Sequence, residues 1–126
     1  MEVFRQSRGG GVFMSSVRIV ISGKGWMKFV EGDKVTYIEA DDHSVRLHCY
    51  RDCISIRGPL MKIEEKLGGL GFVRVHRSFL VAVDHIREIE DGWITLDDFK
   101  ETEIPIGIKY EENLMNEIKN RNYRFL

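Results

Sequence analysis

Three basic side chains, Arg74, His76 and Arg77, lie close together where two apolar segments of this chain meet. The flanking stretches, residues 72–75 and 79–83, are rich in phenylalanine, valine and leucine, a composition typical of β-strands. Strands of this kind bury their apolar side chains and leave the polar residues between them at a bend. A guanidinium group matches the oxygens of a phosphate and the edge of guanine. The segment therefore indicates a nucleic-acid partner, and DNA in particular.

Arg77 and His76 are expected to have different environments. Successive side chains of an extended backbone point in opposite directions, so an outward Arg77 places His76 inward. We interpret His76 as a structural histidine that hydrogen-bonds the backbone at the bend. Arg77 has two interpretations: a bidentate contact with guanine, worth about 1–3 kcal/mol of discrimination, or a surface ion pair worth about 0–1 kcal/mol.

A metal site is the first alternative chemistry, because four potential ligands, His43, His48, Cys49 and Cys53, lie close together in the sequence. His48 and Cys49 are neighbours in a predicted strand and should point to opposite faces. The chain contains no Cys-x-x-Cys pair, and the spacing does not fit a zinc site. We predict no bound metal and free thiols at both cysteines.

Catalysis is the second alternative. Ser78 lies near His76, but no Gly-x-Ser-x-Gly elbow holds the serine. The Gly69-Leu70-Gly71 segment follows a predicted helix and precedes a strand, which is the reverse of a nucleotide-binding loop. The paired aspartates at 41–42 and 97–98 are typical of turns. The sequence therefore predicts a protein that is not an enzyme, with no cofactor and no small-molecule substrate.

The composition is that of one ordinary globular domain. The chain has 126 residues, of which 43% are hydrophobic and 31% charged, and its formal net charge is −1. A near-neutral charge does not exclude DNA, because a local basic face is enough to displace counterions. No apolar run approaches the roughly 18 residues of a membrane span, and the first residues lack the pattern of a secretory signal. We expect a cytoplasmic protein with no membrane partner.

Three segments are predicted along the chain. Residues 1–16 contain the run Gly9-Gly10-Gly11 and several serines, a composition that favours a flexible leader. Residues 17–119 form the folded domain, and residues 120–126 form a C-terminal tail.

Short strands separated by turns fill most of the domain and predict a mostly β fold. The expected strands are residues 17–22, 26–30, 35–40, 45–50, 72–75, 79–83, 86–90, 93–96 and 99–104, with Ile54 and Ile56 continuing the core face. Two helices interrupt them. The first opens after Gly58-Pro59, with Leu60, Ile63 and Leu67 on its apolar face. The second runs from Tyr110 to about Ile118, with Leu114 as a core anchor.

Four motifs in a fixed order carry a resemblance to a known family: Tyr37-Ile38-Glu39-Ala40; Ile56-Arg57 with Leu60, Ile63 and Leu67; the segment from Phe72 to Val81 with Ile86; and Ile104-Pro105-Ile106 with Lys109-Tyr110. On these motifs, residues 18–119 resemble the DNA-binding domain of the LytTR (LytR/AlgR) family of bacterial transcription regulators. The resemblance implies an elongated stack of small, mostly antiparallel sheets with short helices.

The resemblance also implies how double-stranded DNA would be bound. In this family, loops enter successive major grooves on one side of the duplex, and two protomers often bind direct repeats. Most members carry a receiver domain in front, so this chain looks like a stand-alone form or a separately expressed domain. Carried over by position, His43, Arg77 and Lys109 are implied as base contacts, and Arg74 and Ser78 as phosphate contacts.

Two departures from the family pattern affect these assignments. Ala82 stands where the family usually has asparagine, and Gly107-Ile108 stands where it usually has Ser-Arg, which leaves Lys109 as the only basic residue of that loop. His43 follows two aspartates that repel phosphate, so a solvated loop histidine and a base contact both remain open for it. The main prediction is a sequence-specific DNA-binding regulator, and the alternative is a non-catalytic, β-rich protein-interaction module.

Overall fold

The computed structural model describes the backbone of residues 2–7 and 15–126, and the side chains of residues 17–126. Within these ranges the fold is mostly β. The strands are β1 (Glu2–Ser7), β2 (Ser15–Gly23), β3 (Trp26–Glu31), β4 (Val35–Asp41), β5 (Ser44–Cys49), β6 (Cys53–Arg57), β7 (Phe72–His76), β8 (Phe79–Ala82), β9 (Ile86–Glu90), β10 (Trp93–Leu96) and β11 (Glu103–Pro105). The helices are α1 (Leu60–Lys66) and α2 (Glu111–Asn120). Short 3-10 helices span Gly32–Lys34, Val83–His85 and Ile108–Tyr110.

The strands form three antiparallel sheets, in the orders β1-β2-β3, β6-β5-β4-β8-β7 and β11-β10-β9. This confirms the predicted fold class of antiparallel sheets with short helices. Alternation explains the five-stranded sheet: β5 buries Val45 and Leu47 and exposes Arg46 between them. That period of two is what allows one face of a strand to meet a core. None of the described helices is long and apolar enough to cross a lipid bilayer.

Helix α1 covers one face of the five-stranded sheet. Its side chains Leu60 and Ile63, with Leu67 just beyond, pack against Ile38 and Leu47. All five are buried, which confirms the predicted apolar face of this helix. Burying one such side chain contributes about 1.5–3 kcal/mol relative to leaving it in water, so this cluster fixes α1 against the sheet.

The opposite face of β7 and β8 is covered by the third sheet and by α2. The second core cluster contains Val75 and Val81 from the five-stranded sheet, Ile94 and Ile104 from the third sheet, and Leu114 from α2. Leu114 is therefore the core anchor that the sequence predicts. Strands β7 and β8 thus pack between two hydrophobic clusters, which makes the bend that joins them a rigid platform.

The structure contains a strand near the N-terminus that the sequence does not predict. Residues Glu2–Ser7 form β1 and pair with β2 in register, from Glu2 opposite Val20 to Ser7 opposite Ser15, whereas the sequence predicts no strand before Val17. Residues 8–14 lie outside the described residues, and the boundaries of leader, domain and tail stay predictions. In the tail, the side chains of Arg121 and Tyr123 both contact the carboxylate of Asp84.

The strand predicted over residues 99–104 is wrong for most of its length. Strand β11 has only three residues, Glu103–Pro105. The preceding segment is a turn because the Asp98 carboxylate accepts hydrogen bonds from the backbone N–H and the hydroxyl of Thr102, at 2.7 and 2.5 Å. Glu101 has a φ of 51°, which no strand residue adopts, and Phe99 is 84% exposed.

Candidate nucleic-acid interface

Three loops that carry the predicted contacts meet at one end of the five-stranded sheet. They are the β4–β5 turn with His43, the β7–β8 bend with Arg77, and the 3-10 helix with Lys109. Strand pairing brings the first two together, because the end of β4 lies beside the start of β8, with Glu39 opposite Phe79. We call this set of loops the three-loop end.

Backbone hydrogen bonds connect the three loops directly. The Ala40 N–H, next to the β4–β5 turn, donates to the Ser78 carbonyl at 2.8 Å. The Gly107 N–H, next to the third loop, donates to the Val75 carbonyl at 2.8 Å. Bonds of this kind hold a loop without any side chain, so the spacing between the loops is set by the fold itself.

Arg77 is exposed at the tip of the β7–β8 bend. Its guanidinium has no ion pair or hydrogen bond with any part of the chain that the structure describes. The surface ion pair considered for Arg77 from sequence is therefore not formed among these residues. A guanidinium without an internal partner keeps all five of its donors for a ligand.

The side chain of His76 fixes the bend from the inside. Its Nδ1 accepts a hydrogen bond from the Ser78 N–H at 3.1 Å, and its ring lies 5.5 Å from the ring of Phe79, measured between centroids. This confirms the predicted structural histidine. Ser78 itself is half-buried on the same bend.

Arg74 has a different environment from Arg77. Its side chain is only 16% exposed, and its Nη1 donates to Glu64 Oε1 at 2.9 Å. Its Nε donates to the His76 carbonyl at 2.8 Å, and its Nη2 donates to the Arg77 carbonyl. All three nitrogens of the guanidinium therefore have partners within the protein. Its predicted role as a phosphate contact stays a prediction.

His43 lies in an open environment in the β4–β5 turn. Its side chain is 87% exposed, and its Nε2 lies 3.6 Å from Asp42 Oδ1. The carboxylate of Asp41 pairs with Arg46 at 2.5 Å, so one of the two negative charges beside the histidine is partly compensated. The His43 carbonyl accepts a hydrogen bond from the Gly58 N–H at 3.0 Å, which holds the backbone of the turn and leaves the imidazole exposed.

Lys109 is exposed in the middle of the third loop. In the same loop, Gly107 stands where the family usually has serine, and its surroundings explain the difference. A Cβ at this position would lie 3.0 Å from the Tyr110 ring. A serine here would force that ring to shift, so glycine and Tyr110 fit each other. Sequence reasoning did not find this contact, because it depends on how the 3-10 helix folds back.

Two further residues at this end were missed or undervalued from sequence. Glu64 on α1 binds Arg74, although the two are ten residues apart and lie on different elements. Arg57, at the end of β6 opposite Ser44, is exposed and has no ion pair within the described chain. The proximity of Arg57 to His43 follows from the β5–β6 register, which a hairpin prediction could have supplied.

The other end of the sheet contains a pocket of about 510 Å³ whose lining includes Tyr37, Cys49 and Cys53. Both cysteines are free thiols. Burial, and then the nearby Asp52 carboxylate, raises the pKa of Cys49 to about 11, and burial raises the pKa of Tyr37 to about 12. Both groups stay protonated at neutral pH, so neither is an activated nucleophile.

The potential metal ligands do not converge. Within the described residues, no group of three or more His, Cys, Asp or Glu side chains could hold a metal ion. The side chain of His48 binds Glu39 at 2.7 Å and stacks on Tyr37, with ring centroids 4.1 Å apart. Cys49 packs against the α1 cluster on the opposite face, as the alternation of β5 predicts.

Comparison with known proteins identifies the family. Residues 26–119 match the family model of the LytTr DNA-binding domain, and the chain therefore belongs to this family of DNA-binding domains. This agrees with the prediction that the chain is not an enzyme. The match begins at the first residue of β3, so β1 and β2 lie outside it.

Individual relatives are transcription and signalling proteins of bacteria. The chain is 27% identical over 96 residues to the sensory transduction protein LytT of Oceanobacillus iheyensis, covering 71% of this chain and 39% of that protein. It is 33% identical over 84 residues to the CO-responsive transcriptional regulator RcoM of Rhodospirillum rubrum, covering 64% and 36%. The chain thus spans about two fifths of the length of these relatives.

A solved structure has the same fold. The LytTr DNA-binding domain from Bacillus cereus superposes with a TM-score of 0.65, covering 80% of this chain and 95% of that domain. The sequence identity is 23%, so the likeness concerns the fold. It supports the arrangement of sheets that brings the three loops to one end.

Proposed function

We propose that this LytTR domain is a transcription regulator that binds double-stranded DNA sequence-specifically by inserting loop residues into successive major grooves. His43, Arg77 and Lys109 contact base edges, and Ser78 contacts a phosphate. The observation that carries the proposal is the three-loop end, where backbone hydrogen bonds hold three separate loops side by side. A DNA partner implies action in the cytoplasm, and a second protomer would occupy the neighbouring half of a direct repeat.

The charge distribution supports this surface. The chain as a whole has 19 basic and 20 acidic residues, so nonspecific attraction to DNA is weak and binding depends on a local set of cations. Arg57, Arg77 and Lys109 provide that set, because each is exposed and has no ion pair within the described chain. Each cation that neutralises a phosphate adds about 0.9 to the salt slope of binding, whereas a base contact supplies discrimination.

The test begins with selection of bound duplexes from a random pool, which identifies a preferred site. Arg77→Ala is then compared with the native chain on that site and on a scrambled duplex. We expect a loss of about 1–3 kcal/mol on the preferred site and a smaller loss on the scrambled one. Arg51→Ala is the matched control, since Arg51 is an exposed arginine in the turn at the opposite end of β5 and β6. Equal losses of binding free energy on both duplexes would mean that Arg77 contacts a phosphate and not a base.

A protein partner is the second candidate. Strand β3 exposes Trp26, Met27 and Phe29 at an edge of the first sheet, and exposed aromatic residues of this kind are typical of protein interfaces. Salt titration separates the two functions. If no duplex from the selection is retained even at low salt, the interaction module is the better description of the chain.

A further inference from the structure

We infer that Arg74 is a positioning residue that fixes the bend presenting Arg77, and that it does not bind a phosphate. The inference rests on the proposed function for its effect on DNA, but it also makes a claim about the free protein. It changes the assignment that the family resemblance implies for Arg74. The difference matters because the two roles predict different salt dependences of DNA binding for Arg74 variants and opposite changes in DNA affinity for Glu64→Ala.

The guanidinium of Arg74 already has partners within the protein. Arg74 donates through Nε to the His76 carbonyl, through Nη1 to Glu64 and through Nη2 to the Arg77 carbonyl. A phosphate contact needs donors that point outward, and the side chain is 84% buried, since 16% of it is exposed. Three of its five N–H donors are already used within the protein, and a phosphate would have to compete with the Glu64 carboxylate for the same cation, so the contact gains little.

Arg74 binds two carbonyls that flank the tip of the bend. The turn is residues 77–78, directly after His76 at the end of β7, and a single cation that binds the carbonyls of residues 76 and 77 sets the orientation of the peptide groups on either side of Arg77. The position of the Arg77 Cα and the direction of its side chain follow from those peptide groups. Arg74 therefore acts on the base-reading side chain through the backbone.

Arg74 is itself anchored from two sides. Glu64 belongs to α1, which Leu60 and Ile63 hold against the sheet. On the other side, the Arg74 Cζ lies 6.0 Å from the centroid of the Tyr110 ring, a distance at which a cation is attracted to an aromatic face. Tyr110 follows Lys109 directly, so Arg74 stands between the second and the third loop of the three-loop end.

The closing experiment measures the salt dependence of binding to the selected and scrambled duplexes for Arg74→Ala and Arg74→Lys. We expect both variants to lose about fivefold to a hundredfold in affinity for the selected duplex, the range that one base contact supplies. Lysine keeps the charge but cannot reach three acceptors in one plane, so it does not rescue. The salt slope on the scrambled duplex stays unchanged. A drop of about 0.9 in that slope for alanine, restored by lysine, would identify a phosphate contact and overturn the inference.

Substitution of Glu64 should change DNA affinity in opposite directions under the two roles of Arg74. Glu64→Ala removes the anchor of Arg74 and also removes a negative charge from the surface that faces DNA. If Arg74 positions the bend, this variant binds the selected duplex more weakly, and Glu64→Gln, which keeps an acceptor oxygen, restores most of the affinity. If Arg74 binds a phosphate, Glu64→Ala frees the guanidinium and strengthens binding to both duplexes, which would contradict the inference.

A double-mutant cycle and a measurement without DNA complete the design. In an Arg77→Ala background, Arg74→Ala should cause no further loss of discrimination, because its effect passes through Arg77. In the free protein, the Ser78 amide should exchange hydrogen faster in Arg74→Ala than in the Arg51→Ala control. Unchanged exchange overturns the inference. If the native chain prefers no duplex but Arg74→Ala still loosens the bend, the proposed function fails while the positioning role stands.

Discussion

The β7–β8 bend and the β4–β5 turn lie side by side, yet they are held in different ways. The bend is fixed by side chains of its own strand β7: Arg74, which Glu64 of α1 anchors, binds the bend carbonyls, and His76 accepts from the Ser78 N–H. The turn is held by backbone hydrogen bonds, among them that from the Gly58 N–H to the His43 carbonyl, and the imidazole of His43 is 87% exposed. One loop therefore presents its basic side chain on a backbone that side chains support, whereas the other presents its histidine on a turn that only backbone contacts hold.

This difference has a consequence for recognition. Immobilising a flexible side chain on binding costs about 0.5–1.5 kcal/mol, and under the proposed function the exposed side chains of Arg77 and His43 would both meet that cost. At the bend, the backbone beneath Arg77 is ordered during folding. We therefore expect the discrimination between sequences to be concentrated at Arg77, with His43 adapting to the neighbouring groove.

The largest expected effect is on stability, and it distinguishes the two arginines that support the loops. Arg74→Ala should lower the free energy of unfolding by about 1–3 kcal/mol, because two carbonyls and a carboxylate lose a charged donor. Arg46→Ala, which removes the partner of Asp41 beside the turn, should cost about 0–1 kcal/mol, since both side chains are nearly half exposed. Urea unfolding followed by circular dichroism measures both. Equal costs would contradict the view that the bend is the more firmly supported loop.

A smaller effect is expected for the two histidines. His76→Ala removes the acceptor of the Ser78 N–H and the ring contact with Phe79, so it should lower the free energy of unfolding by about 0.5–1.5 kcal/mol. His43→Ala removes an exposed side chain and should change stability by no more than about 0.5 kcal/mol. Thermal unfolding at neutral pH is the measurement. A large loss for His43→Ala would mean that the turn depends on its imidazole after all.

The same two loops show how far the sequence could predict this structure. Alternation of apolar and polar residues was enough to predict most of the strands, the inward His76 and the outward Arg77, because these depend on neighbours within a few residues. The partners of Arg74 could not be predicted in the same way. Glu64 lies on a helix and Tyr110 on a loop, and both reach Arg74 only after α1 and α2 have packed on opposite faces of the sheet.

The incorrect strand over residues 99–104 has a similar cause. A local pattern favoured extension, but the Asp98 side chain competes for the Thr102 N–H and closes a turn instead. The hydrogen bonds that connect the three loops also join residues far apart in sequence, such as Ala40 with Ser78. The family resemblance supplied what local patterns could not, because it carried the expectation that separate loops act together.

The smallest expected effect concerns the end of the sheet that lies away from the three loops. Strand β6 begins with Cys53 and ends with Arg57, so a thiol label can be placed at either end of the same strand. Burial raises the pKa of Cys49 to about 11, and a maleimide at pH 7 should therefore modify the more exposed Cys53 first. Because distant sites act independently within about 0.5 kcal/mol, the modified protein should bind the selected duplex with unchanged affinity. In a Cys53→Ser background, Arg57→Cys moves the same label to the other end of β6, where it should block binding. If the label at Cys53 blocks binding as strongly as the label at 57, the DNA surface does not lie at the three-loop end, and the contrast between bend and turn has no bearing on recognition.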